Sequence, residues 1–279
     1  MLEVKNLCKS YKEFKLKNVS FTVEKGYITG FIGANGAGKT TTLKSLLNIV
    51  HADSGDIKFF GKDLYESENE IKQEIGFMFG AVDYYSRHKV KTIVDIYKRF
   101  FNTWKEELFS DLLKRFSINP DKKVAELSQG MRVKLGIALA LSHDAKLIIL
   151  DEPTSGLDPI AREELLDVFS DIIQDGEKSI LFSTHITSDL DKCADYIIFI
   201  KNGEIIASTT KDELLESHLV VREAGDALQK EQAGKIIGLK KHSFGFSGLI
   251  KKDDLSLFSG IETEKPNLED IMVYYNREG

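Results

Sequence analysis

The sequence predicts an α/β protein built on a mainly parallel sheet, with an antiparallel β part beside it. Three observations carry that expectation. Tyr27–Ile32, Leu147–Leu150, Ile180–Phe182 and Tyr196–Ile200 are short apolar runs of the kind that form strands buried on both faces. Helical patterns lie between them, and strand–helix–strand alternation calls for crossover connections and parallel pairing. A glycine-rich turn joins the first of these runs directly to a helical pattern.

The elements follow in order. Residues 2–7 and 19–23 alternate apolar and polar side chains, as half-buried strands do. After the glycine-rich turn, Leu43, Leu46, Leu47 and Val50 fall at helical spacing and predict one helix face through Val50. Ile75–Phe79 is a further short strand. From about Thr92 to Ser142 the periodicity is helical, and residues 83–143 form an inserted helical subdomain. Asp158-Pro159 starts another helix, with Asp158 as its cap and proline in its first turn. Lys201-Asn202-Gly203-Glu204 is a hairpin turn. After about residue 216, Gly, Lys and Ser become frequent and sharp strand patterns disappear. Residues 1–216 form one domain, and 217–279 a small α+β appendage ending in a helix near Asn267–Asn276.

Composition excludes several classes. A chain of 279 residues can bury roughly three quarters of its unfolded surface without metal or disulfide staples. Its formal charge of −6 disfavours a dedicated nucleic-acid binder. Cys8 and Cys193 form neither a disulfide framework nor a zinc pattern, and are expected as buried thiols. No run of 18 apolar residues occurs, and the first residues lack an apolar signal-type stretch.

Gly33-Ala34-Asn35-Gly36-Ala37-Gly38-Lys39-Thr40 fits G-x-x-x-x-G-K-[ST], between a buried strand and an amphipathic helix. Backbone N–H groups of such a loop turn inward around an anion, and the helix N-terminus adds positive potential. Lys39 is placed for the β- and γ-phosphates, and Thr40 for Mg²⁺. Thr41 completes the first helical residues of the phosphate site. Leu147-Ile148-Ile149-Leu150 then runs into Asp151 and Glu152. A parallel strand brings Asp151 to its carboxyl edge, beside the phosphate loop, where a carboxylate suits Mg²⁺. Glu152 is placed to orient the attacking water or take its proton.

Three further segments complete a pattern. Leu127-Ser128-Gln129-Gly130-Met131 precedes the helix that leads to the acidic strand. Ser155-Gly156-Leu157-Asp158 follows that strand, and His185 closes the next in Ser183-Thr184-His185. In this order the motifs of residues 1–215 resemble the ATP-binding subunit of an ABC transporter. The resemblance implies a P-loop NTPase-like sheet, bound ATP and Mg²⁺, and two ATPase subunits meeting head to tail. It implies that Tyr11 stacks on adenine. Ser128, Gly130 and their helix N-terminus would face the γ-phosphate of the other subunit's ATP. Asp158 would couple the two sites across the interface, and His185 would link γ-phosphate to Glu152. The layout and short tail resemble bacterial efflux-type subunits more than importers.

The resemblance also implies a separate transmembrane permease, with this subunit on the cytoplasmic membrane face and closure transmitted near Asp83-Tyr84-Tyr85. Two rivals stand beside that reading: a soluble ABC-type ATPase acting on ribosomes or DNA, and an ATP-binding module without hydrolysis. The single cassette disfavours the first. The intact Lys39, Asp151, Glu152 and His185 disfavour the second. The chain departs from the family pattern twice. Gln129 and Met131 replace the usual glycine and glutamine. Gly80 stands where a metal- and water-holding glutamine is usual. Either Asp83 reaches the metal in its place, or Gly80 simply turns the chain and Asp83 faces solvent or a partner.

Overall fold

The computed structural model describes residues 1–83, 85–224, 228–243 and 245–277, so Tyr84 lies outside the described residues. The chain begins with β1 (Leu2–Ser10), β2 (Lys15–Val23) and β3 (Ile28–Ile32), followed by α1 (Lys39–Leu46). Then come β4 (Ser54–Phe59), β5 (Lys62–Asp63), α2 (Glu68–Gln73) and β6 (Ile75–Phe79). The helical subdomain holds α3 (Val90–Tyr97), α4 (Glu106–Arg115) and α5 (Gln129–Leu141). The core resumes with β7 (Leu147–Asp151), α6 (Pro159–Ile173), β8 (Ser179–Thr184), α7 (Thr187–Cys193), β9 (Tyr196–Lys201) and β10 (Glu204–Thr210). The last part comprises α8 (Lys211–Glu216), β11 (His218–Ala224), α9 (Lys230–Ala233), β12 (Ile237–His242), β13 (Gly245–Lys251), β14 (Glu262–Glu264) and α10 (Leu268–Arg277).

Three sheets result. The central one runs β10-β9-β3-β8-β7-β6, with every pair parallel except β10 on β9. β3, β7 and β8 are buried along their whole length, as their unbroken apolar runs require. The second sheet, β2-β1-β4-β5, is antiparallel. Its β2 alternates exposed and buried residues, the mark of one wet face. The β9–β10 hairpin turns on Asn202 and Gly203, both at positive φ, as its primed turn demands.

One helix is shorter than its spacing predicts. The helix after the phosphate loop ends at Leu46, not Val50. Asn48 adopts φ 52°, a left-handed stop that apolar spacing cannot reveal. In the appendage, β12-β13-β11-β14 form an antiparallel sheet. Its lysines and glycines mask the alternation, while Val221, Ile236, Phe246, Ile250 and Phe258 form a small core of its own. The closing helix α10 packs against α7, and Leu268, Ile271 and Tyr274 join the main core. Lys201 Nζ donates to the Tyr275 carbonyl at 2.6 Å, a further tie between the two parts.

Cys8 and Cys193 are free thiols and are half-buried rather than buried. Burial still pushes the Cys193 thiol up to about 12.

Candidate active site

Strand register assembles the site. β3, β8 and β7 lie side by side and point the same way, pairing Ile32 with Thr184 and Asp151 with Ser183. Their carboxyl ends therefore deliver the phosphate loop, His185 and Glu152 to one edge. This is where open α/β sheets hold ligands.

At that edge lies a cleft of about 780 Å³. Ten of the anticipated residues line it: Tyr11, Ala34, Asn35, Gly36, Gly38, Lys39, Thr40, Thr41, Glu152 and His185. The other two residues of the loop, Gly33 and Ala37, do not line it: Gly33 offers its carbonyl to Lys39, and Ala37 is buried. The Lys39 ammonium, only 6% exposed, donates to the Gly33 carbonyl at 2.7 Å and Ala34 carbonyl at 3.3 Å. Gly38 precedes α1 with φ 116°, a conformation open to glycine, so the first amides of α1 point into the cleft uncapped by any side chain. They make an anion site with the dipole behind it.

The acidic edge is tightly wired. Asp151, 8% exposed, accepts from Thr40 Oγ1 at 2.8 Å and from the Ser183 hydroxyl. Glu152 takes φ 51°, a left-handed conformation costing a non-glycine residue about 1–3 kcal/mol. Its N–H is held by Ser183, at 3.1 Å from both the carbonyl and the hydroxyl. The turn leaves one Glu152 oxygen 2.8 Å from His185 Nδ1 and the other 3.5 Å from Lys39 Nζ. Lysine, glutamate and histidine thus form one connected chain around the cleft.

Sequence reasoning missed four participants. Glu13, Phe14 and Ser155 also line the cleft. Ser183 holds both acidic residues, although only its neighbour His185 stood out. Its signal was its place at the end of a buried strand beside Asp151.

Thr40 and Asp151 bring a hydroxyl and a carboxylate within 2.8 Å, an all-oxygen pair that suits Mg²⁺. Among the described residues no group of three or more His, Cys, Asp or Glu could hold a metal alone.

Ser128, Gly130 and Asp158 do not line the cleft. Ser128 caps α5, its hydroxyl accepting from Met131 N–H at 3.2 Å. Asp158 caps α6 and accepts from Ile160 and Ala161 N–H, both at 3.0 Å. The Ala161 N–H, above all, holds the Asp158 carboxyl below its ordinary range. Gly130 packs against Leu157 and Ala161. Gln129 lays its side-chain amide on Gly156: a Cβ there would stand 2.4 Å from Gln129 Nε2. The two exposed segments are thus packed together within one chain.

Asp83 pairs with a neighbour. Asp83 Oδ1 accepts from Arg132 Nη1 at 2.6 Å, so it is engaged by the first turn of α5 and not by the Thr40–Asp151 pair. Gly80 turns the chain at φ 66°, and its N–H faces the Asp151 carbonyl at 3.4 Å. A second, apolar groove of about 840 Å³ opens between β6 and α3, lined by Phe77, Phe79, Ile93, Ile96 and Phe100 among others.

This is the architecture of a P-loop ATPase of the cassette type. Residues 16–155 match the family described as ABC transporter. The ABC transporter ATP-binding protein YtrB of Bacillus subtilis (strain 168) is 31% identical, over 98% of this chain and 97% of its own length. A solved ATP-binding subunit of an ABC transporter superposes with TM-score 0.70 at 27% identity, covering 77% of this chain and 91% of that one. A dimeric ATP-binding cassette in a post-hydrolysis state, bound to ADP and Pi, superposes with TM-score 0.67 at 22% identity, over 75% and 98%. The chain belongs to the ABC transporter family, as an ATP-binding cassette ATPase coupled to transport. No described helix is long and apolar enough to cross a membrane.

Proposed function

We propose that two copies of this chain, or this chain and a close relative, close head to tail around two ATPs and drive a separate transmembrane permease. One observation carries the reading. The phosphate loop, acidic edge and His185 meet in one cleft, whereas Ser128, Gly130 and Asp158 stand at helix N-termini outside it. Each chain thus offers one furnished half-site and one half-site awaiting a nucleotide from elsewhere.

In this reading Tyr11 stacks on adenine and the loop amides of 33–41 cradle the phosphates. Lys39 turns from the Gly33 and Ala34 carbonyls to the β- and γ-phosphates. Thr40 and Asp151 would hold Mg²⁺, which when bound neutralises charge on the phosphates. Glu152 takes a proton from the attacking water, and His185 keeps that carboxylate oriented and reaches the γ-phosphate. Ser128 and the N-terminus of α5 complete the γ-phosphate contacts from the opposite chain. Asp158 couples the two sites. One solved relative in fold is a dimeric ATP-binding cassette bound to ADP and Pi.

The apolar groove is the permease contact, which puts the chain on the cytoplasmic face of the membrane. Phe100 and Ile96 are 68% and 40% exposed there. Phe100→Glu combined with Ile96→Asp tests the assignment. The variant should keep its ATPase rate in the absence of membranes but lose co-purification with the proposed membrane partner. Retained co-purification counts against the groove.

A further inference from the structure

The motif helix that carries Asp158 and the turn that carries His185 are joined by a contact no motif explains. Arg162 lies one turn into α6 after Asp158, and Asp189 lies four residues beyond His185, in the first turn of α7. The Asp189 side chain is 2% exposed, and its Oδ1 stands 3.8 Å from Arg162 Nε. That is ion-pair range but beyond a hydrogen bond. Arg162 Nε and Asp189 Oδ2 are both buried with no hydrogen-bond partner among the described residues. Next to Arg162 and three residues after Asp189, Glu163 and Lys192 bridge the same two helices at the surface, more than half exposed.

Asp189 is buried and Arg162 is 29% exposed, so the pair is part-buried; an incompletely satisfied charge pair of this kind is weak support for stability, and apolar replacement is often neutral or stabilising. It is better suited to an arrangement that changes. The ends of α6 and α7 nearest the pair are the ends that bear Asp158 and His185. A shift of α6 that shortens the pair to a hydrogen bond would carry the start of α7 with it.

We propose that Arg162 and Asp189 are positioning residues: they link the Asp158 segment to His185, so that contact with a second chain sets how His185 holds Glu152. The proposal rests on the shared-site reading above. Neither residue touches nucleotide in it.

The test uses the full-length protein in four variants. Arg162→Met with Asp189→Leu removes the part-buried pair. Asp189→Asn keeps the shape and polarity if the double variant folds poorly. Glu163→Gln with Lys192→Met removes only the surface pair. Glu152→Gln is run in parallel. Breaking the part-buried pair should lower kcat about tenfold, an ordinary size for coupling between sites. KM for ATP should stay within about twofold, and Tm should hold or rise. Breaking the surface pair should change neither kcat nor KM by more than about twofold, as exposed pairs contribute little. An unchanged kcat in both variants of the part-buried pair overturns the link, as does a fall in kcat matched by the surface-pair variant. If Glu152→Gln itself hydrolyses at the wild-type rate, the shared-site reading fails instead.

Discussion

The two sides of this catalytic surface are built differently. On the cleft side, Lys39, Thr40, Asp151, Glu152, Ser183 and His185 hold one another through hydrogen bonds and ion pairs within a single chain. On the other side, Ser128 and Asp158 satisfy only the local N–H groups of their own helices. The first is organised before any ligand arrives. The second is a pair of open helix ends, joined by the Gln129–Gly156 contact and facing outward. In the proposed reading the difference marks where function divides: the cleft binds nucleotide alone, and efficient hydrolysis draws on the exposed side of another chain.

That contrast breaks most sharply at Glu152. Glu152→Gln keeps the shape but accepts no proton, and hydrolysis should fall by about 10²-fold or more, with ATP still bound. A steady-state phosphate-release assay beside a nucleotide-binding titration reads both. Lys39→Ala comes next. It removes a charge-assisted contact of roughly 1.5–3 kcal/mol, so ATP binding should weaken about tenfold or more. Unchanged affinity by calorimetry would remove the phosphate-loop assignment. Ser128→Ala should act on the other side only. The lost cap is worth roughly 1 kcal/mol to α5. ATP affinity of the single chain should stay put while the hydrolysis rate drops. A change in affinity equal to the change in rate would place Ser128 in the cleft of its own chain. The smallest effect is expected at Asp83→Ala. The Arg132 pair is exposed and worth at most about 1 kcal/mol, so Tm should move little. A Mg²⁺ titration of ATPase activity should be unaltered. A raised Mg²⁺ requirement would return Asp83 to the metal.

Much of the cleft was legible in the sequence because its chemistry is carried by short contiguous segments. Gly33–Thr41 and Asp151-Glu152 are each set by a strand end, and a strand end is visible as a broken apolar run. What sequence hid depends on contacts distant along the chain. Arg132 captures Asp83 from 49 residues away. Ser183 reaches Asp151 across a strand pair. Arg162 meets Asp189 only because α6 and α7 pack together. The strand positions of the α+β appendage were not legible for a different reason: its strands are lysine-bearing and interrupted by glycine, so burial, not pattern, defines them. The groove beside β6 could not be anticipated either, since its walls come from a core strand and an inserted helix.

The shared site is tested most directly by the mass of the Glu152→Gln protein in solution. With the proton acceptor gone and binding intact, ATP and Mg²⁺ should convert the 31.4 kDa chain to a species of twice that mass in sedimentation velocity. Adding Ser128→Arg to the same variant should return it to a monomer that still binds ATP. A Glu152→Gln chain that stays monomeric with ATP bound, and still hydrolyses it at the wild-type rate, would contradict the account.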